Sequence, residues 1–502
     1  MKKAIPPQIG TGVPGLDFIL GGGLPSDRLY LVEGNPGTGK TTLALQFLMA
    51  GAARGERTLY ITLAETADEL RSVAISHDWS LEGIDVVELL PPDAVLRPES
   101  QYTVFHPAEV ELDQSTRQIY DRVAATNPTR VVIDSLSEMR ILSQDVLRLR
   151  RQVLALKHYF LGRGCTVLLL DDVRSQDAEL QFASIAHGVI TLEQLALEYG
   201  AERRRLRVLK LRGQRFRGGF HDFTIQTGGV VTYPRLVAAE HKIVPADGFI
   251  SSGDPDFDRL LGGGPDCGTS TLLVGPAGVG KSVLCTQYAV AAAERGEQVA
   301  AYLFDERMRT FTARAKGLGM RVEGAIASGR LSVQQIDPAE IAPGQFAHEV
   351  CQAVEKNGTR LVIIDSLSGY MNAMPGEQLL SIHLHELLSY LTQRGVTTLL
   401  TLAQHGPFAH SSTQGAEISY LTDGIILLRY FEAAGQVRQA ISVLKKRSGG
   451  HEQTIREFKI GPGGFRVGEP LRSFQGVLTG VPEYVGAAGP LLGGVSDGPP
   501  LP

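Results

Sequence analysis

The pattern Gly-x-x-x-x-Gly-Lys-[Ser/Thr] occurs twice in this chain, as Gly34-Asn35-Pro36-Gly37-Thr38-Gly39-Lys40-Thr41 and as Gly275-Pro276-Ala277-Gly278-Val279-Gly280-Lys281-Ser282, with the lysines 281 − 40 = 241 residues apart. Each copy follows an apolar run, Leu29 to Val32 or Thr271 to Val274, and precedes a helix-like segment. Strand, glycine loop and helix in that order form the context in which the pattern cradles phosphate. The glycines lack Cβ, so several backbone N–H groups can turn toward one anion while the positive end of the following helix adds to the attraction. Lys40 and Lys281 are then expected to neutralise phosphate charge, and Thr41 and Ser282 to offer hydroxyls to Mg²⁺. Thr42 and Val283 complete the two candidate nucleotide-binding sets.

The duplication extends well beyond the loops. Thr11-Gly-Val-Pro-Gly-Leu-Asp17 with Gly21-Gly-Gly precedes the first, and Ser252-Gly-Asp-Pro-Asp-Phe-Asp258 with Gly262-Gly-Gly precedes the second. After each loop come an apolar helix pattern, an apolar run (Thr58 to Leu63, Val299 to Phe304), a run ending in acid (Arg130 to Asp134, Arg360 to Asp365) and a further run (Thr166 to Leu170, Thr397 to Leu402). Short apolar runs alternating with helical patterns predict βαβ units and a parallel sheet covered on both faces. The expected fold is therefore α/β: two tandem P-loop NTPase domains, each a mostly parallel sheet flanked by helices. The expected boundaries are 1–240 and 241–475, with the junction near Pro234 to Asp247. Residues 476–502 are rich in Gly and Pro and are expected to form a mobile tail.

At a net charge of −5 the chain lacks the strongly basic footprint of a dedicated nucleic-acid binder. Cys165, Cys267, Cys285 and Cys351 form no C-x-x-C pair, which argues against a zinc ribbon and a secreted disulfide framework and points to reducing cytoplasm. No uncharged stretch is long enough to span a bilayer, so no membrane partner is expected.

Asp134 and Asp365 end apolar strands, where a bare carboxylate is costly, and either Mg²⁺ or the N-terminus of the next helix would offset that cost. Glu65 and the pair Asp305-Glu306 follow the strand after each loop, placed to orient or deprotonate an attacking hydroxyl, although acids at a helix start are also favoured by the dipole. Ala64 stands where the second half has Asp305, so unequal chemistry is expected. Basic residues gather from Arg203 to Arg217, including Lys210 and Arg212, and again at Lys445 and Arg447. Three readings stay open for them: a nucleic-acid stripe, a solvated strand face, or cationic fingers to phosphates held by a neighbouring subunit. His383, His385 and Glu386 lie on a helix-like run at spacings that do not converge on a metal.

The repeated loops, the Thr-Gly-x-Pro-Gly-Leu-Asp opening, Tyr102-Thr-Val-Phe-His-Pro-Ala-Glu-Val-Glu-Leu112, Lys210-Leu-Arg-Gly213 and Ile455-Arg-Glu-Phe-Lys-Ile460 together make residues 5 to 480 similar to the double-domain KaiC-like branch of the RecA-like ATPases. That resemblance implies a homo-hexamer of two stacked rings with ATP and Mg²⁺ between subunits, and slow hydrolysis in the first domain. It also implies serine/threonine autophosphorylation in the second, and a KaiB-like or other signalling partner. By position, Lys210, Leu211, Arg212, Lys445 and Arg447 would reach across the subunit interface, and Glu65, Asp305 and Glu306 match the family's catalytic carboxylates. Two departures stand out. The first half has Ala64-Glu65 where the family pairs carboxylates, and the second half has Ser419-Tyr420 where the family has adjacent serine and threonine acceptors, so Ser419 is the autophosphorylation candidate. The rival readings are a RecA/DnaB-like motor driven on single-stranded DNA and an ATP-gated scaffold of negligible turnover.

Overall fold

The computed structural model describes residues 7–89, 107–143, 145–172, 182–196, 200–372, 377–404, 420–433, 435–478 and 483–486. The chain divides into two compact units, through Arg235 and from Leu236. The division falls a few residues before the expected 240/241 boundary because Leu236 packs into the second unit's core and the Ala238 N–H donates to Glu386 Oε2 at 2.9 Å.

The first unit is built on β1 (Leu29–Gly34), β2 (Thr58–Thr62), β3 (Ile84–Glu88), β4 (Arg130–Asp134), β5 (Thr166–Asp172), β6 (Gly188–Leu195), β7 (Arg203–Leu211), β8 (His221–Gln226) and β9 (Gly229–Tyr233). They form one sheet in the order β3-β2-β4-β5-β1-β6-β7-β8-β9, parallel from β3 to β6 and antiparallel from there on. The second unit repeats this with β10 (Ser270–Gly275), β11 (Val299–Leu303), β12 (Leu331–Gln335), β13 (Leu361–Asp365), β14 (Thr397–Ala403), β15 (Gly424–Ala433), β16 (Gln436–Lys446), β17 (Arg456–Gly461) and β18 (Gly464–Pro470). Its order, β12-β11-β13-β14-β10-β15-β16-β17-β18, matches the first strand for strand.

The parallel strands read as unbroken apolar runs because both faces are covered. Tyr30 and Val32 of β1 enter one core with α1 (Lys40–Ala52), while Leu29 and Leu31 enter another with the Val146–Phe160 helix. In β10 the same alternation sends Leu273 to the side of α2 (Lys281–Glu294) and Leu272 to the other face. Each fully buried Leu, Ile or Val contributes about 1.5–3 kcal/mol, so each unit has a core of its own. The repeated opening phrase is a local clasp. Asp17 Oδ1 accepts from the Thr11 N–H and hydroxyl at 2.8 and 2.7 Å, and Asp258 Oδ1 accepts from the Ser252 N–H at 2.9 Å.

The four cysteines are unpaired thiols. Among the described residues no helix is long and apolar enough to cross a membrane. The Gly/Pro-rich end departs from a simple tail: Val477 is buried with Phe431, Ala433 and Ala440, and Phe474–Gln475 pairs with Glu483–Tyr484. Apolar side chains thus tie the chain down beyond Gly476.

Candidate functional site

Each glycine loop joins the C-terminal end of the strand before it to the N-terminus of α1 or α2. Gly39 and Gly280 cap these helices at φ 95° and 114°, a region that favours glycine. A Cβ there would also lie 2.6 Å from Ile225 Cδ1 in the first unit and 2.4 Å from Ile460 Cδ1 in the second. The lysines curl back over their loops. Lys40 Nζ donates to the carbonyls of Gly34 at 2.8 Å and Asn35 at 3.0 Å, and Lys281 Nζ to those of Gly275 and Pro276, both at 2.8 Å. Lys40 has a further partner, Asp172 Oδ1 at 2.7 Å. Burial pushes the Lys281 ammonium below its ordinary pKa.

The strand-ending acids face the loops. Thr41 Oγ1 lies 3.4 Å from Asp134 Oδ2, which also accepts from the Tyr60 hydroxyl at 2.5 Å. In the second unit the Ser282 hydroxyl bonds to Asp365, whose Oδ1 accepts from Thr401 at 2.5 Å. Burial raises the pKa of both carboxyls, and these hydroxyl hydrogen bonds oppose it. Among the described residues no cluster of three or more His, Cys, Asp or Glu could hold an ion unaided. One hydroxyl and one carboxylate at each loop nevertheless suit Mg²⁺, which keeps much of its water and takes other ligands from phosphate.

The next carboxylates differ between the halves. Glu65 is anchored through its backbone, its N–H donating to Thr62 Oγ1 at 2.9 Å, and its side-chain Oε2 is buried without a hydrogen-bond partner. Burial first, then the charges of Asp134 and Glu69, raise its pKa. Its counterpart Glu306 is gripped on both oxygens by Arg314 at 3.1 and 2.7 Å, and Asp305 accepts from the Ser366 hydroxyl. Val73 stands where the first unit would need an arginine to match Arg314.

Sheet register fixes where the basic residues lie. Arg212 donates its N–H to His187, which donates to Leu29, so Arg212 is level with the start of β1 while the loop leaves its far end at Gly34. Arg447 bonds to Asp423 and Asp423 to Ser270, the start of β10, by the same rule. Five residues of strand separate each arginine's level from its own loop, about 16 Å at ~3.3 Å per residue. The side chains turn to nearby carbonyls: Lys210 to Ala183 at 2.5 Å, Arg212 to Ser184 at 3.1 Å, Lys445 to Thr422 at 2.6 Å and Arg447 to Tyr420 at 2.8 Å. Leu211 is buried between its two basic neighbours. Farther along β7, Arg204 pairs with Glu202 at 3.1 Å, while Arg205 meets Glu193 at 2.8 Å and covers Phe220, an ion-paired strand face.

His383 and Glu386 take separate partners: His383 Nδ1 meets the Tyr370 hydroxyl at 2.9 Å, and Glu386 Oε2 accepts from the Ala238 N–H. Ser419 lies outside the described residues. Tyr60, Thr401, Arg314 and Asp172 join the two sites although no sequence motif contains them. Asp172 left a visible signal, since Leu170-Asp171-Asp172 aligns with Thr401-Leu402-Ala403, whereas the other three contacts depend on neighbouring strands or helix turns.

A family model described as "ATPase: KaiC" matches residues 9–237 and again 250–472. Similar curated proteins include the circadian clock protein KaiC3 of Synechocystis, 28% identical with 95% of each chain covered. The circadian clock oscillator protein KaiC of Picosynechococcus is 28% identical over 95% of this chain and 93% of its own, and that of Synechococcus elongatus 27% over 95% and 92%. Two loops built to one plan, in two sheets of one strand order, and a family match spanning both units place this chain in the KaiC family of ATPases.

Proposed function

We propose that this chain is a Mg²⁺-dependent ATPase working as a cytoplasmic homo-hexamer with ATP between neighbouring subunits, and that its second half also phosphorylates Ser419 of its own chain. The observation that carries the reading is the placement of Arg212 and Arg447 at the levels of Leu29 and Ser270, about 16 Å by sheet register from their own loops. Residues at that remove serve phosphate only if another copy presents its loop to them.

The backbone N–H groups of 34–41 and 275–282 would bind the phosphates, with Lys40 and Lys281 neutralising charge. Thr41 with Asp134, and Ser282 with Asp365, would hold Mg²⁺, which supplies charge stabilisation at the β- and γ-phosphates when bound. Glu65, with its raised pKa and unpartnered Oε2, suits proton uptake from an attacking water. In the second half Asp305 and Glu306 are the carboxylates placed to take a proton as the Ser419 oxygen attacks the γ-phosphorus and the bond to ADP breaks. Because the relatives carry clock-protein names, a KaiB-like or other signalling protein is the partner class to test.

Lys281→Ala should abolish phosphate incorporation, and Lys40→Ala should mainly impair ATP-dependent assembly. Each removes a charge-assisted contact of about 1.5–3 kcal/mol. Native mass spectrometry and phosphopeptide mapping with Mg-ATP read both properties. Equal loss of both in both variants would refute the division of labour, and label on Tyr420 or Thr422 in place of Ser419 would refute the acceptor.

A further inference from the structure

We propose that Asp172 is a working residue of the first phosphate site, supplying from β5 the second carboxylate that Ala64 withholds. The inference rests on the reading of this site as an ATPase. Asp172 is the last residue of β5 and pairs in register with Gly34, the first residue of the loop. Both of its oxygens are engaged, Oδ1 by Lys40 Nζ at 2.7 Å and Oδ2 by Ser137 Oγ at 3.1 Å. A carboxylate in direct contact with the lysine that serves the phosphates lies beside those phosphates.

The second unit shows the complementary choice. There the matching strand end, paired with Gly275, is Ala403, and the carboxylate comes from Asp305 at the position of Ala64. A serine just after the strand-ending aspartate anchors Asp305 directly, and its counterpart reaches Asp172 through a second serine. Ser366, which follows Asp365, donates to Asp305, while Ser135, which follows Asp134, bonds at 2.6 Å to Ser137, the donor to Asp172. Each site thus keeps two carboxylates besides its strand-ending aspartate, Glu65 with Asp172 in one and Glu306 with Asp305 in the other.

In hydrolysis the water oxygen bonds to the γ-phosphorus and the bond to the β–γ bridging oxygen breaks, ADP leaving with the electron pair. Glu65 takes the water proton and passes it to the released phosphate. Asp172 accepts the water's second hydrogen bond and fixes its line of attack.

The test uses the full chain carrying Lys281→Ala, so that only the first site turns over. Steady-state ATP hydrolysis and the affinity for a fluorescent ATP analogue are measured for this parent, for Asp172→Ala and for the isosteric Asp172→Asn. Turnover should fall by about tenfold or more in both. Affinity should stay unchanged or tighten, because an acid that repels phosphate is gone. Turnover within about twofold of the parent overturns the proposal. So does affinity lost in parallel with turnover, which would make Asp172 only a holder of Lys40. A parent that binds the analogue yet releases no phosphate would overturn the first-half ATPase reading itself, and the proposal with it.

Discussion

Glu65 shows how burial sets the chemistry of a single side chain. With its pKa raised above the ordinary 4.5, it binds its proton more tightly in the folded chain than in the unfolded one. Folding therefore loses stability as pH climbs from the ordinary value through the raised one. Glu65→Gln removes that cost, so the nucleotide-free variant should melt above the parent at about pH 8, with the gap closing toward about pH 4, where the parent carboxyl is protonated as well. Scanning fluorimetry across that range checks the sign, and a gap that widens on acidification would contradict it. The same variant should lose first-half hydrolysis. Glu306, by contrast, is held by Arg314 on both oxygens.

At the scale of elements, the glycine loops work because strand end, turn and helix start are locked from several directions. Gly280 combines φ 114° with a Cβ direction that ends 2.4 Å from Ile460 Cδ1 on β17. Gly280→Ala should therefore cost about 1–2 kcal/mol for the backbone, with overpacking of about 1–3 kcal/mol added, and should abolish nucleotide binding at the second loop. Gly358→Ala is the control: its φ of 70° carries similar handedness, but nothing lies within 4 Å of the added Cβ. Urea melts and analogue binding on the two variants separate backbone strain from the clash. A Gly280→Ala protein that binds as tightly as the parent would show that the loop can shift past β17.

For the whole molecule, the shared strand order makes each finger remote from its own loop, and turnover should then depend on assembly. Mixing Arg447→Ala subunits, which keep an intact second loop, with Lys281→Ala subunits, which keep an intact finger, should restore part of the second-half activity that neither shows alone. Some mixed interfaces join a good loop to a good finger, and a transferred guanidinium stabilises charge that grows on the γ-phosphate. Exchange monitored by native mass spectrometry with no recovery of phosphate incorporation would assign Arg447 to its own chain.

The sequence alone determined the duplication, the α/β class, the two loops and the strand-ending acids Asp134 and Asp365. Those features are local: a glycine at positive φ, a lysine six residues after a strand end and an apolar run covered on both faces each leave their mark within one short segment. It left the role of Lys210 and Arg447 among three readings, and it gave no hint that Glu306 is held by Arg314 while Glu65 is not. Only the tertiary structure decided which strand ends adjoin, because β5 sits between β1 and β4 and pairs with β1 through residues more than a hundred positions away. That adjacency puts Asp172 on Lys40 and sets each finger at the far end of its own sheet. Charge and hydrogen bonding act over a few ångströms, so the neighbours brought together by the sheet, rather than those along the chain, set the properties of the site.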